Sequence, residues 1–146
     1  MKAIIQTVKS ADVLIENTER HCIKQGMLVY LSFKNDDNKQ MLDKMVNKIA
    51  GLRIFDDPDG KINLSLNDIN GEMLIISNFT IYSSLVRGFR PSFDNVMHST
   101  ESVELYNVFV DKMKALFPNR VQTGKFGAQM EVTAVNDGPK NFIFEL

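Results

Sequence analysis

Cysteine occurs once, at Cys22, so the chain cannot close an internal disulfide, and a reducing compartment is its simplest address. Histidine occurs twice, at His21 and His98, far apart in sequence, and no H-x-x-x-H or C-x-x-C pair is present, so no metal or other cofactor is expected. No stretch approaches the roughly 20 apolar residues that a membrane helix needs. The first residues, Met1-Lys2-Ala3-Ile4-Ile5-Gln6, carry one cation and turn polar too early for a secretory signal. A cytoplasmic protein is therefore expected. Charge of one sign is also missing: 17 Lys+Arg against 18 Asp+Glu leave a net of −1, so a surface that grips nucleic acid all over is excluded and any such contact must be local. Basic residues do gather at Arg87 and Arg90, and again at Arg120 and Lys125, although a solvated surface explains such charges equally simply.

What is present suits an ordinary globular protein. Residues 1–146, 44% hydrophobic and 24% charged, fit a single domain with a sizeable core, and a small domain is surface-rich enough to gain by self-association. No G-x-G-x-x-G, repeat or linker divides it. Ala3 to Val8 is rich in β-branched residues, Val13 and Ile15 alternate with polar neighbours, and Met27 to Leu31 is a continuous apolar run suited to a strand buried on both faces. Met41, Leu42, Met45, Val46 and Ile49 then line one face of a helix over 38–50, with Gly51 expected as a left-handed cap. Met73 to Ile76 reads as a strand core running into Ser77-Asn78-Phe79-Thr80. Val103, Tyr106, Val110, Met113 and Phe117 mark a second helix, capped by Thr100 and stopped by Pro118. Two final strands, around Met130–Val135 and Phe142–Phe144, are joined by 136–141. This order predicts an α/β fold: a single mixed domain of layered β-sheets covered by two main helices.

Asp56-Asp57-Pro58-Asp59-Gly60 resembles a calcium loop only superficially. The twelfth position from Asp57 or Asp59 is Asp68 or Asn70, not the required Glu, and Pro and Gly at this spacing make a β-turn. Cys22 adjoins His21, but neighbours on a strand point to opposite faces, so they cannot act as nucleophile and base, and Cys22 is expected to be a small core residue. Ser77 and Thr80 are hydroxyls at the end of an apolar strand without a G-x-S-x-G elbow. A backbone-bonding role and a nucleophilic one both remain open for them. Gly138-Pro139, unaided, is a turn dipeptide.

Several segments, taken together and in order, carry a resemblance. They are Ala3-Ile4-Ile5-Gln6-Thr7-Val8, Leu52-Arg53-Ile54-Phe55, Gly60-Lys61-Ile62-Asn63-Leu64-Ser65, Arg90-Pro91-Ser92-Phe93 and Thr123-Gly124-Lys125-Phe126-Gly127-Ala128-Gln129-Met130. With these the chain resembles the D-aminoacyl-tRNA deacylase family over essentially its whole length. Two further segments are similar to the family's active-site motifs. Ser77-Asn78-Phe79-Thr80-Ile81 stands where the family has S-Q-F-T-L, and Asn136-Asp137-Gly138-Pro139-Lys140-Asn141 where it has N-x-G-P-V-T. Asn78 keeps a carboxamide but loses a methylene, and Asn141 replaces a β-branched hydroxyl with an amide.

The resemblance implies a homodimeric hydrolase of the D-aminoacyl-tRNA ester, acting at the 3′ acceptor end of tRNA. Ser77, Asn78, Phe79 and Thr80 become candidate catalytic residues, with backbone N–H groups near Phe79 and Thr80 facing the oxyanion and the ribose 2′-OH supplying the missing base. Gly138, Pro139, Asn136, Asn141, Phe126 and Met130 become candidate substrate-binding residues. In similar proteins the Gly-Pro bond is cis and enters the partner's pocket, where two carbonyls hold the α-ammonium and backbone excludes the L side chain. A glycyl ester mischarged on an alanine tRNA would pass the same filter. Arg87, Arg90 and Lys125 are the candidate tRNA contacts. Two other readings stay open: a family-fold dimer that binds acceptor ends without efficient turnover, and an unrelated small-molecule hydrolase using Ser77 or Thr80.

Overall fold

The computed structural model describes residues 1–146. Its strands are β1 (Lys2–Ile15), β2 (Glu19–Ile23), β3 (Gly26–Ser32), β4 (Arg53–Asp56), β5 (Ile62–Ser65), β6 (Glu72–Ser77), β7 (Val121–Thr123) and β8 (Met130–Glu145). The helices are α1 (Lys39–Ala50) and α2 (Ser99–Leu116), with a 3₁₀ turn at Phe79–Tyr82. Six strands form the main sheet, in the order β2-β1-β3-β6-β7 with β8 on the other edge of β1; β4 and β5 form a separate hairpin. β1 is antiparallel to its three partners, whereas β3–β6 and β6–β7 are parallel. The parallel pairs need crossovers, which α1 with the hairpin and then α2 provide.

The central strands are buried on both faces, as parallel strands require. Met27, Val29, Leu31, Met73 and Ile75 face the larger core with α1 and α2. Leu28, Leu74 and Ile76 face a second cluster with Val8, Ala11, Val13, Ile15 and Ile23, because the far half of the β1–β2 hairpin curls back over the sheet. Leu42, Met45, Val46 and Ile49 bury the inner face of α1. Its N-cap is Asn38, whose side chain accepts from the amides of Gln40 and Met41 at 3.1 Å. No helix of the chain is long and apolar enough to cross a membrane.

Five local expectations are corrected. Gly51 is not left-handed (φ −94°); its N–H bonds Asn47 O and simply prolongs the helix. The cap of α2 is His98, whose Nδ1 faces the amide and hydroxyl of Thr100, so Thr100 lies inside the first turn. The buried stripe of α2 includes Leu105 and Phe109, while Val103 is only half-buried. Cys22 is exposed, because β2 is an edge strand that buries only Ile23. Residues 136–141 are not a connector between two strands but the irregular middle of one, β8. The Asp57–Gly60 turn is present: Gly60 N–H donates to Asp57 O at 2.9 Å, and Asp57 Oδ1 accepts from the amides of Asp59 and Lys61.

One glycine sets the spacing of the sheet. Gly26 pairs with Val8 on one side and Glu72 on the other, and a Cβ built there would overlap the Glu72 backbone. Gly26→Ala should therefore force β3 and β6 apart. It is expected to cost at least the ~1–3 kcal/mol of an overpacked core, read as a lower midpoint in chemical denaturation.

Candidate active site

The chain leaves β6 at Ser77 and turns at once into the 3₁₀ turn, and Asn78 is the reason. Its side-chain Oδ1 accepts from Thr80 N at 3.1 Å and Thr80 Oγ1 at 2.6 Å, while its own N–H donates to Leu31 O at 2.9 Å. Asparagine has the reach for this cap on the second following amide. The turn is thereby pinned to the end of β3.

Beside it lies a cavity of about 600 Å³. It is lined by Ser77, Asn78 and Phe79, by Ser32 and its neighbours at the end of β3, by Ser99 and Ser102 at the start of α2, and by Phe126 to Met130. Candidates from positions 77–79, 126 and 130 are thus brought together. Thr80 is exposed just behind the rim, with its amide and hydroxyl both turned onto Asn78. The polar lining consists of hydroxyls and carboxamides, from Ser32, Ser77, Ser99, Ser102, Asn78 and Gln129. None of these is a proton acceptor of useful strength near neutral pH.

Gly138, Pro139, Asn136 and Asn141 do not join this cavity in their own chain. Gln6 pairs with Asn141 and Val8 with Asn136, so the four residues Asp137 to Lys140 stand opposite the single Thr7 and bulge out of the sheet. Thr7 Oγ1 donates to Asp137 O at 2.7 Å, Gln6 Nε2 donates to Asn141 Oδ1 at 2.7 Å, and Lys140 pairs with Asp56 at 2.7 Å. The Gly138-Pro139 peptide is cis, and both residues are exposed. Thr7 lies opposite Met27, four residues along β3 from Leu31 at the cavity wall. That is ~13 Å of strand.

The basic candidates also separate. Arg120 is used by the fold: it donates to Gly71 O and Asn67 Oδ1 and lies over the Phe117 ring. Lys125 is exposed on the rim of a second cavity, of about 520 Å³, which shares Phe126 with the first. Tyr106 also borders it, stacked 5.7 Å from Phe126 with its hydroxyl donated to Ile75 O; burial pushes this phenol well above its usual range. Arg87 and Arg90 lie in an exposed loop before α2. Pattern reading did not single out Ser99, Ser102 or Ser32, because serine carries no periodic signal and only the fold gathers them.

A curled sheet backed by two helices, with a hydroxyl- and amide-lined cavity at one end, is a fold shared with solved structures. It superimposes on a solved structure described as "c-Myc DNA Unwinding Element Binding Protein" with TM-score 0.92 and 34% identity, covering 100% of this chain and 99% of that one. A second, a "probable eukaryotic D-amino acid tRNA deacylase", gives TM-score 0.87 at 18% identity, covering 99% and 98%, and shows the same fold. Residues 4–145 match the family model described as D-Tyr-tRNA(Tyr) deacylase. The D-aminoacyl-tRNA deacylase of Thermosipho africanus is 45% identical over 145 residues, covering 99% of this chain and 97% of its own, and that of Thermotoga petrophila is 42% identical over 147 residues with the same coverage. The chain belongs to the D-aminoacyl-tRNA deacylase family.

The cap at Asn78 makes a prediction. Asn78→Ala removes the acceptor that holds the Thr80 amide and should cost ~0.5–2 kcal/mol, whereas Asn78→Asp keeps an acceptor and should unfold near the wild-type midpoint. Thermal denaturation of the two variants side by side checks this.

Proposed function

We propose that this chain hydrolyses the ester of D-aminoacyl-tRNA, releasing the D-amino acid and tRNA, and that it spares L-aminoacyl-tRNA. One observation carries the mechanism: the cavity offers hydroxyls, amides and apolar walls but no side-chain base. The proton relay is then the substrate's own. The ribose 2′-OH orients a water and accepts its proton while passing its own proton on to the departing ribose oxygen, as the water adds to the ester carbonyl carbon. The bond to that ribose oxygen breaks. The tetrahedral oxyanion is met by backbone N–H groups at Phe79 and Thr80, each such donor being worth ~2.7–4 kcal/mol. Because Thr80 N already bonds Asn78 Oδ1, the oxyanion competes with that contact.

Chiral selection belongs to the Gly138-Pro139 bulge of a second copy, whose carbonyls accept from the α-ammonium and whose backbone blocks an L side chain; Asn136 and Asn141 brace the bulge. A homodimer is supported by two features. The bulge is remote from its own cavity, and β8, 16 residues long, has an unpaired outer edge with Val135 and Ile143 exposed at 52% and 72%. Glycyl-tRNA, with hydrogen in place of a side chain, passes the same filter. Arg87, Arg90 and Lys125 contact the acceptor end, with Phe126 and Met130 packing on the aminoacyl group. A cytosolic setting follows from the substrate.

The deciding assay is incubation with matched D- and L-aminoacyl-tRNA and with glycyl-tRNA. Turnover of D and glycyl esters, with L untouched, is the expected result. Binding of the D ester without turnover selects the second reading, an acceptor-end binding protein, which the engagement of Thr80 by Asn78 would favour. Thr80→Ala should keep most of its turnover, while a 2′-deoxy terminal ribose should lower it by ~10²-fold or more. Loss of all turnover in a folded Thr80→Ala would overturn the substrate-assisted scheme. Ile143→Lys should dissociate the dimer in sedimentation and abolish D-selective turnover; an active, D-selective monomer sinks the cross-subunit model. With three cations at the acceptor end, log K should fall with log salt at a slope of about −2 to −3.

A further inference from the structure

Between β6 and α2 the chain makes a loop that the mechanism above does not use fully. Ser84 and Ser92 exchange two backbone hydrogen bonds, of 2.8 and 3.0 Å, and so close residues 85–91 into a tied hairpin loop with Gly88 at φ +66°. This loop shows Leu85, Val86 and Phe89 to solvent, Phe89 completely. Phe89 is flanked by Arg87 and Arg90. The chain has five arginines, and Arg20, Arg53 and Arg120 are each engaged by Asp12, Asn63, or Gly71 and Asn67. Arg87 and Arg90 take part in no hydrogen bond and no ion pair, which leaves two guanidinium groups free beside one bare aromatic ring.

The loop is continuous with the candidate active site. Phe93, just beyond its base, packs on Phe79 with ring centroids 5.2 Å apart, and Phe79 lines the cavity. The groove beneath the loop holds one acid, Asp94, whose Oδ2 already accepts from Ser92 Oγ at 3.1 Å. A flat exposed ring between two unpaired guanidinium groups is the chemistry of single-stranded nucleic acid, where phosphates meet the cations and a base stacks on the ring. A second copy of this chain is a poor occupant of a contact centred here, since a two-fold axis through so small a loop would crowd the Arg87 and Arg90 guanidinium groups of both copies together.

Resting on the proposed function, we propose that Phe89 is a stacking platform for an unpaired base of the tRNA acceptor end next to the esterified nucleotide, with Arg87 and Arg90 on the adjoining phosphates. The ester sits in the cavity, and the single strand leaves past Phe79 and Phe93 over the loop.

The test compares D-aminoacyl-tRNA with D-aminoacyl-adenosine, which lacks the preceding nucleotides, and adds direct binding of a CCA-ending RNA tetranucleotide by fluorescence anisotropy. Phe89→Ala should raise KM for the tRNA ester at least about five-fold, and weaken the tetranucleotide equally, as loss of one stacked base implies. The maximal rate and the adenosine ester should be unchanged. Phe89→Trp should restore tight binding, whereas Phe89→Leu, apolar but not aromatic, should not. Equal losses on both esters, rescue by Leu, or a change in molecular mass on Phe89→Ala would overturn the platform, the last in favour of a protein interface. Unchanged KM for tRNA overturns it too. Tetranucleotide binding through Phe89 with no hydrolysis of any ester would instead unseat the functional reading and leave the platform standing.

Discussion

Strand β1 has to pair along both edges while bending, and the rest of the molecule is arranged around how it does so. One edge takes β3 over Lys2–Val8 and then β2 over Ala11–Ile15; the other takes β8 along nearly its full length. No regular ladder can keep three partners while the hairpin curls back over Leu74 and Ile76. The misfit is absorbed at one place. Lys9 is skipped on β1, and Asp137 to Lys140 are extruded from β8 opposite Thr7. Thr7 is fully buried, and its hydroxyl would be costly there without a partner; the Asp137 carbonyl supplies one. The bulge that projects Gly138 and Pro139 is thus the local consequence of closing the sheet. Its position is fixed by the same bonds that allow the second core to form.

The site obeys a related constraint at the opposite end of the sheet. β6 is buried on both faces up to Ile76, so Ser77 is the first residue where polar chemistry becomes available. Asn78 then turns the chain before it can leave the surface, which keeps Phe79 over the cavity. Groups are positioned here by backbone pairing and one side-chain cap, not by a network of charged residues. The proposed reaction suits such a site, because it relies on oriented dipoles and on the substrate's own hydroxyl.

Periodicity made the strands and helices legible wherever burial is regular. The apolar run Met27–Leu31 is buried on both faces as its pattern implies, with Tyr30 the one partly open residue, and α1 buries the face its spacing marks. What escaped the pattern has physical reasons. Cys22 is small and apolar in type, but it lies on an edge strand, and edge position is a tertiary fact. Residues 136–141 hold Asn, Asp, Gly and Pro, the composition of a turn, because a bulge and a turn relax the same backbone restraints. The cap of α2 falls at His98 and not at Thr100, since the imidazole nitrogen accepts from the amide of Thr100 and lets the helix begin at Ser99. Of the site, motif resemblance marked residues 77–80, 126 and 130. The serines of β3 and α2 were invisible because only the crossover brings those two elements to one end of the sheet.

The charge balance ties the site to its surroundings. A molecule of net charge −1 has no long-range field to gather a polyanion, so the proposed affinity for tRNA has to come from a few contacts made at short range. Short-range contacts are effective only where the partner groups are not already satisfied. Most of the arginines are: Arg20, Arg53 and Arg120 hold the hairpin of β1, the hairpin of β4 and the end of α2 in place. The two that hold nothing sit together on a loop tied at its base by Ser84 and Ser92, one aromatic contact from the cavity. A rigid base matters here as much as the charge, because a loop ordered beforehand loses less conformational entropy when a strand docks on it. In the proposed scheme the substrate carries its own catalytic hydroxyl, and the protein contributes most by placing that substrate accurately. The unpaired guanidinium groups and the bare ring therefore belong to the same physical solution as the base-free cavity.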